Sequence, residues 1–146
     1  MSPNHYGATL LETMVVIACC GILLVIAVPN FDHLQQEWTL WGAAHLIESS
    51  LYWGRMHAIS ANTSLTFEVD PDGRGYHWAD GNTGARFEQS VRFLPGRVRI
   101  VSFPHRPLRF YPRANAAPAG TYIIQGAAGQ YRVIVSAAGR IRIQRD

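Results

Sequence analysis

The chain has 146 residues, among them thirteen arginines, no lysine, ten acids and six histidines, for a net charge of +3 at neutral pH. That length gives one globular domain behind one long helix, and no internal period of solenoid length is present. The two cysteines, Cys19 and Cys20, are adjacent inside an apolar run. This excludes a disulfide framework and a cysteine metal site, so the globular part must be held by its core alone.

The first element starts at Gly7-Ala8-Thr9-Leu10-Leu11-Glu12 and continues as the apolar run Met14 to Val28, which ends at Pro29. It reads as a membrane-spanning helix with one anomaly. An ionised carboxylate such as Glu12 near hydrocarbon costs about 2.5 kcal/mol or more on insertion scales, so something must offset it. A glycine followed five residues later by a glutamate, at the head of an apolar helix, resembles the class III signal of type IV pilins and type II secretion pseudopilins. The resemblance implies that a prepilin peptidase cuts between Gly7 and Ala8 and methylates the new terminus, and that Glu12 serves assembly. The freed amine of Ala8 would lie one helical turn from Glu12, giving the carboxylate a cationic partner in its own chain or a neighbour. Family members usually have phenylalanine after the glycine and a basic leader; here Ala8 stands there, and His5 is the only potentially cationic side chain of the leader. The rival readings are a secretory signal peptide cut after Val25-Ile26-Ala27 and an uncleaved anchor.

Pro29 is expected to kink the helix rather than end it, because Leu34, Trp38, Trp41, Ala44, Ile47, Leu51, Gly54 and Ala58 recur in steps of three and four. The helix is therefore expected to reach about Ser60, some fifty residues or about 75 Å from Ala8. Trp38, Trp41 and Trp53 read as helix-to-sheet core. His33, His45 and His57 are each turned about 120° from the last and form no metal face.

Beyond Asn62 the period changes to two. Strands are expected over Ser64–Val69, Gly75–Ala79, Arg97–Phe103, Leu108–Tyr111, Thr121–Gln125, Gln130–Ser136 and Arg140–Gln144, separated by turn-forming clusters. Asn115 to Gly120, made of small residues, reads as a mobile loop. Asp70-Pro71-Asp72-Gly73-Arg74-Gly75 has two carboxylates at a calcium-like spacing, but Arg74 occupies the third ligand position, so it reads as a plain turn. The fold expected is α+β: a long N-terminal helix, kinked near Pro29, packed on an antiparallel β-sandwich-like head. Residues 1–7 form the leader, 8–28 the transmembrane half of the helix, 29–60 its amphipathic half and 61–146 the head.

Charge is partitioned along the chain. Residues 30–90 hold three arginines against eight acids, a balance of −5, whereas residues 91–146 hold ten arginines and one acid, +9. Arginine presents a planar fork suited to phosphate or carboxylate, so the tail half reads as built for anions. Gly139-Arg140-Ile141-Arg142 would place two guanidinium groups on one strand face about 6.8 Å apart, with Ile141 and Ile143 turned to the core. Gly96-Arg97-Val98-Arg99 has the same pattern. Arg132, Arg145, Arg109 and Arg113 would widen a patch, and Phe110 or Tyr111 would stack on a base where exposed.

The late-helix segment Gly54 to Asn62, then Phe110-Tyr111-Pro112 ahead of Gly120, then Tyr131 to Ser136 with Gly139-Arg140-Ile141-Arg142, resembles the GspH/FimT branch of the pilin-like proteins. The resemblance implies a minor filament subunit, held in the inner membrane with its head in the periplasm until assembled with other pilin or pseudopilin subunits. FimT-like proteins carry a Gly-Arg-x-Arg motif implicated in DNA binding, which Gly139 to Arg142 fits; Arg97 and Arg99 remain the alternative. Three functions stay open: a type IV minor pilin that captures DNA for uptake, a type II secretion pseudopilin whose arginines meet a partner subunit or secreted cargo, and, third, a generic pilus-priming subunit with no ligand. No grouping of serine, cysteine, histidine and acid suggests a nucleophile or general base, so no enzyme, cofactor or metal is expected; the chain is instead the substrate of a peptidase.

Overall fold

The computed structural model describes residues 9–146, with the side chains of residues 26–30 excepted. The expected leader, Met1 to Gly7, and its scissile partner Ala8 lie outside the described residues, as does the ring of Pro29. Helix α1 runs from Leu10 to Ser60, 51 residues. It is opened by Thr9, whose Oγ1 accepts the Glu12 N–H at 3.3 Å, as in the Thr-x-x-Glu capping pattern. Glu12 therefore sits in the first turn, where the helix dipole favours a carboxylate. After Ser60 the helix is closed by Asn62, which takes the left-handed conformation (φ 51°) while the Thr63 N–H reaches back to the Ala58 carbonyl at 3.2 Å.

The chain divides into two compact units, residues 1–35 and 36–146. In the first, the large apolar side chains described between Leu10 and Val25 are exposed, Leu10 at 80% and Val25 at 76%. Among the described residues no helix is long and apolar enough to cross a membrane. The expected span 8–28 lies partly outside them.

In the second unit the buried stripe of α1 is Leu40, Ala43, Ala44, Ile47, Leu51 and Ala58. The expected stripe is right from Ala44 onward and wrong before it. Leu34, Trp38 and Trp41 are exposed, and so is Trp53. The reason is volume. Small residues let the helix lie close to the sheets, and at Gly54 a methyl group would already collide with the Trp78 ring. The Trp78 indole already fills the seam there, and the helix's own indoles pack along its flank: Trp38 on Trp41 at 5.7 Å and Trp53 on His57 at 5.1 Å.

Among the described residues nine strands follow, all paired antiparallel: β1 (Leu65–Val69), β2 (Gly75–Asp80), β3 (Arg92–Phe93), β4 (Arg99–Ser102), β5 (Leu108–Phe110), β6 (Ala116–Ala117), β7 (Gly120–Gly126), β8 (Gly129–Val135) and β9 (Ile141–Arg145). One sheet has the order β3-β2-β1-β5-β6 and the other β4-β7-β8-β9. They form an open two-sheet head, not a closed barrel. A single core joins α1 to both inner faces, with Phe67 edge-on to Tyr122 across the two sheets at 5.5 Å. Burial pushes the Tyr122 phenol far above its ordinary ionisation range.

All seven expected strands are present. β3 and β6, two residues each, are too short for a period to reveal. The segment expected as a mobile loop holds β6: Ala116 is buried and its N–H donates to the Ala137 carbonyl at 3.0 Å. Asp70 to Gly75 forms a tight turn, in which the Gly73 N–H donates to the Asp70 carbonyl at 2.8 Å and the Asp72 carboxylate accepts the Arg74 N–H at 3.0 Å. Residues 36–146 contain every member of the core and so carry a complete hydrophobic interior of their own.

Candidate functional site

Side chains alternate along a strand, so the pairing register decides which arginines share a surface. In the four-stranded sheet Val133 opposes Ile143, and Val135 opposes Ile141. With Tyr122 and Ile124 of β7, these residues face the core. The opposite face carries Arg132 across from Gln144 and Arg142 across from Ile134. It also carries Arg99, which opposes Gln125 from the far edge strand, β4. Arg140 precedes β9, but its carbonyl accepts the Ser136 N–H at 2.9 Å, which continues the ladder one residue beyond the strand. Arg140 and Arg142 thus flank the buried Ile141, both exposed, as Arg97 and Arg99 flank the buried Val98.

The two Gly-Arg-x-Arg segments therefore lie on opposite edges of one sheet, and Arg99 shares its outer face with Arg140 and Arg142, while Arg97 is exposed in the turn that leads into β4. Three strand spacings separate them, about 14 Å across the sheet. None of these four guanidinium groups has a hydrogen bond or ion pair within the chain among the described residues.

The other expected arginines are placed differently. Arg132 lies mid-face but is ion-paired with Asp146, which also accepts a hydrogen bond from the Gln130 amide at 2.6 Å. Arg145 alternates to the helix side. There it donates to Glu37 at 2.8 Å and lies over the Tyr131 ring, and the Glu37 hydrogen bond raises its already high pKa. Arg109 belongs to the five-stranded sheet, half-buried, opposing Thr66 and Ala117. Arg113 is exposed in the turn after β5. Phe110 is buried in the core and cannot meet a base, and Tyr111 is half-buried.

That turn is docked on the one before β9. Gly139 has φ 71°, and a Cβ there would strike the Ala114 carbonyl oxygen. Beneath the same glycine lies Arg55 of α1, whose Nε is buried without a hydrogen-bond partner. Arg55 lies in the acidic half of the sequence, so no compositional signal points to it.

A cavity of about 490 Å³ lies between α1 and β2–β3 and is lined in part by Trp53, Trp78, Phe87 and Arg92. Its polar groups are largely engaged within the protein. Trp78 Nε1 donates to Ser50 Oγ at 3.0 Å, and Arg92 donates to the Gln89 and Val91 carbonyls, both at 3.1 Å. Among the described residues no group of three or more histidines, cysteines and acids is arranged to hold a metal ion.

A long N-terminal helix laid on antiparallel sheets is the architecture of type IV pilins and their secretion counterparts. Residues 43–139 match the family described as Type II transport protein GspH, and the chain belongs to that family. It is thus a minor pilin or pseudopilin, of a type IV pilus or a type II secretion system, and a structural subunit that assembles with other pilin subunits. The Pilin-like protein PilA1 of Thermus thermophilus is 26% identical over 154 residues, covering 94% of this chain and 97% of the relative. Among solved structures, the minor pseudopilin EpsH from the Type 2 Secretion System of Vibrio cholerae superposes with a TM-score of 0.61 at 16% identity, covering 73% of this chain and 96% of that one. The type IV minor pilin FimU of Pseudomonas aeruginosa does so with a TM-score of 0.65 at 18% identity, covering 76% and 92%. At such identities the likeness is one of fold.

Proposed function

We propose that this chain is a FimT-like minor pilin of a type IV pilus that binds DNA, indifferent to its sequence, through the outer face of the four-stranded sheet. The observation that supports this most is that both Gly-Arg-x-Arg segments lie at the edges of one sheet, with Arg99, Arg140 and Arg142 on its outer face, Arg97 exposed beside them, and none of the four guanidinium groups paired among the described residues. Duplex DNA carries a charge about every 1.7 Å along its axis, so a face about 14 Å wide meets several phosphates at once. Contacts of that kind position a duplex without reading it. The purified unit 36–146 is expected to bind unrelated duplexes at micromolar or weaker affinity, falling steeply with salt. Arg140→Ala with Arg142→Ala, and separately Arg97→Ala with Arg99→Ala, should each flatten the salt slope by about two, one per lost contact. Fluorescence anisotropy across a salt series measures this. A wild-type head that ignores DNA at low salt would sink the proposal.

The second reading, a type II secretion pseudopilin without DNA binding, draws support from the family's description and from the exposed Trp38, Trp41 and Met56, which suit contact with other subunits. Both readings share one maturation. Prepilin peptidase removes Met1 to Gly7, Ala8 is methylated, and the subunit waits in the inner membrane as a single pass with its head in the periplasm. The all-round apolar and exposed surface of the helix before Val25 supports such burial in lipid or among neighbouring helices. Gly7→Val should leave the leader attached, as read by mass spectrometry of the membrane fraction. Glu12→Ala should be cleaved but absent from sheared filaments, because the carboxylate is the partner proposed for a neighbour's amine.

A further inference from the structure

Arg55 is a cost that the fold alone does not explain. Its Nε is buried and unpartnered, and a buried donor without an acceptor destabilises the folded state. Nothing acidic lies one turn away on α1: positions 51, 52, 58 and 59 are Leu51, Tyr52, Ala58 and Ile59. Yet the side chain is firmly placed. Tyr52, one turn earlier, donates to the Ile141 carbonyl at 3.4 Å, so this stretch of helix is tied to the start of β9. Arg55 itself runs beneath Gly139. The turn above is joined to the turn carrying Arg113, through the close approach of Ala114 to Gly139 and the hydrogen bond from Ala116 to Ala137. Arg113 and Arg140 thus stand on or beside the pair of docked turns, and Arg55 lies beneath Gly139 of the second. None of the three has an ion pair within the chain among the described residues, and the Nη groups of Arg55 are neither bonded nor buried without a partner.

We propose that Arg55, Arg113 and Arg140 form a phosphate-binding cluster at the Gly139 end of the arginine face, with Arg55 as its fixed member. The cluster rests on the DNA reading above only for what carries the phosphate: it takes a backbone phosphate of DNA. A guanidinium held from below by packing loses little freedom on binding, whereas Arg113 and Arg140 close on the anion from exposed turns.

The test follows the arginine Nε–Hε NMR signals of unit 36–146 during titration with a short DNA duplex and, separately, with inorganic phosphate, alongside the Arg55→Met variant. Methionine keeps the apolar stem and removes the charge and the orphan donor. Arg55→Met should leave Tm unchanged or raised, while DNA affinity falls about fivefold and the salt slope drops by about one. The Arg55 signal of the wild type should move saturably with duplex. Arg55→Lys, which keeps the charge but not the fork, should hold the salt slope and so exposes a merely structural effect of the methionine.

If Arg55→Met binds DNA as the wild type does while the Arg140 and Arg142 changes weaken binding, the DNA reading stands and the cluster is overturned. If duplex does not bind but inorganic phosphate moves the Arg55 signal, the cluster stands and the DNA reading fails. A signal that neither ligand moves, or a variant that loses Tm without losing affinity, overturns the cluster and makes Arg55 a packing residue.

Discussion

Asp80 closes the turn after β2 with one side chain: its Oδ1 accepts the Asn82 and Thr83 N–H groups, both at 2.8 Å. These bonds, Thr83's first, together with the nearby Arg109, hold the carboxyl below the ordinary range. Since the folded group ionises below its unfolded value, its contribution is complete above about pH 4 and is lost as pH falls through the depressed value. Asp80→Asn keeps the acceptor and removes the titration. The variant should lose less stability than the wild type between about pH 4 and pH 2, as measured by urea unfolding at each pH. Gly139 acts through the backbone. With φ 71° and the Ala114 carbonyl against its α-carbon, Gly139→Ala should cost about 2 kcal/mol or more. It should also misplace Arg140, so DNA binding would weaken along with stability.

The elements themselves are largely visible in the residues. The period of three and four from Ala44 to Ala58 locates the packed half of α1, and the period of two locates the seven longer strands. The tryptophans mislead because hydrophobicity marks a side chain as apolar without saying whether the seam has room for it. Gly54 makes the point measurable. In an ordinary helix interior Gly→Ala stabilises by about 1 kcal/mol. Here the added methyl meets the Trp78 ring, so Gly54→Ala should instead destabilise by about 1–3 kcal/mol, the range for overpacking a core. Denaturation followed by near-ultraviolet circular dichroism of the tryptophans distinguishes the two signs.

For the whole molecule, the division into two units, with every described member of the core in the second, predicts that residues 36–146 unfold cooperatively by themselves, with coincident far- and near-ultraviolet transitions. Non-coincident transitions would mean that the head needs the rest of its helix.

The N-terminal signal, the long helix, the antiparallel head and the arginine-rich tail are written in contiguous residues, because spacing along the chain is a local property. What the tertiary structure decided are the relations between distant segments. Register and sheet order bring Arg99 onto the face of Arg140 and Arg142, turn Arg145 away to Glu37, pair Arg132 with Asp146 and bury Phe110. Helix-to-turn packing places Arg55 beneath Gly139. A shift of one residue in any strand pairing would reverse these faces without altering composition or motif. For that reason the charge could be counted from the sequence, but the surface that carries it could not.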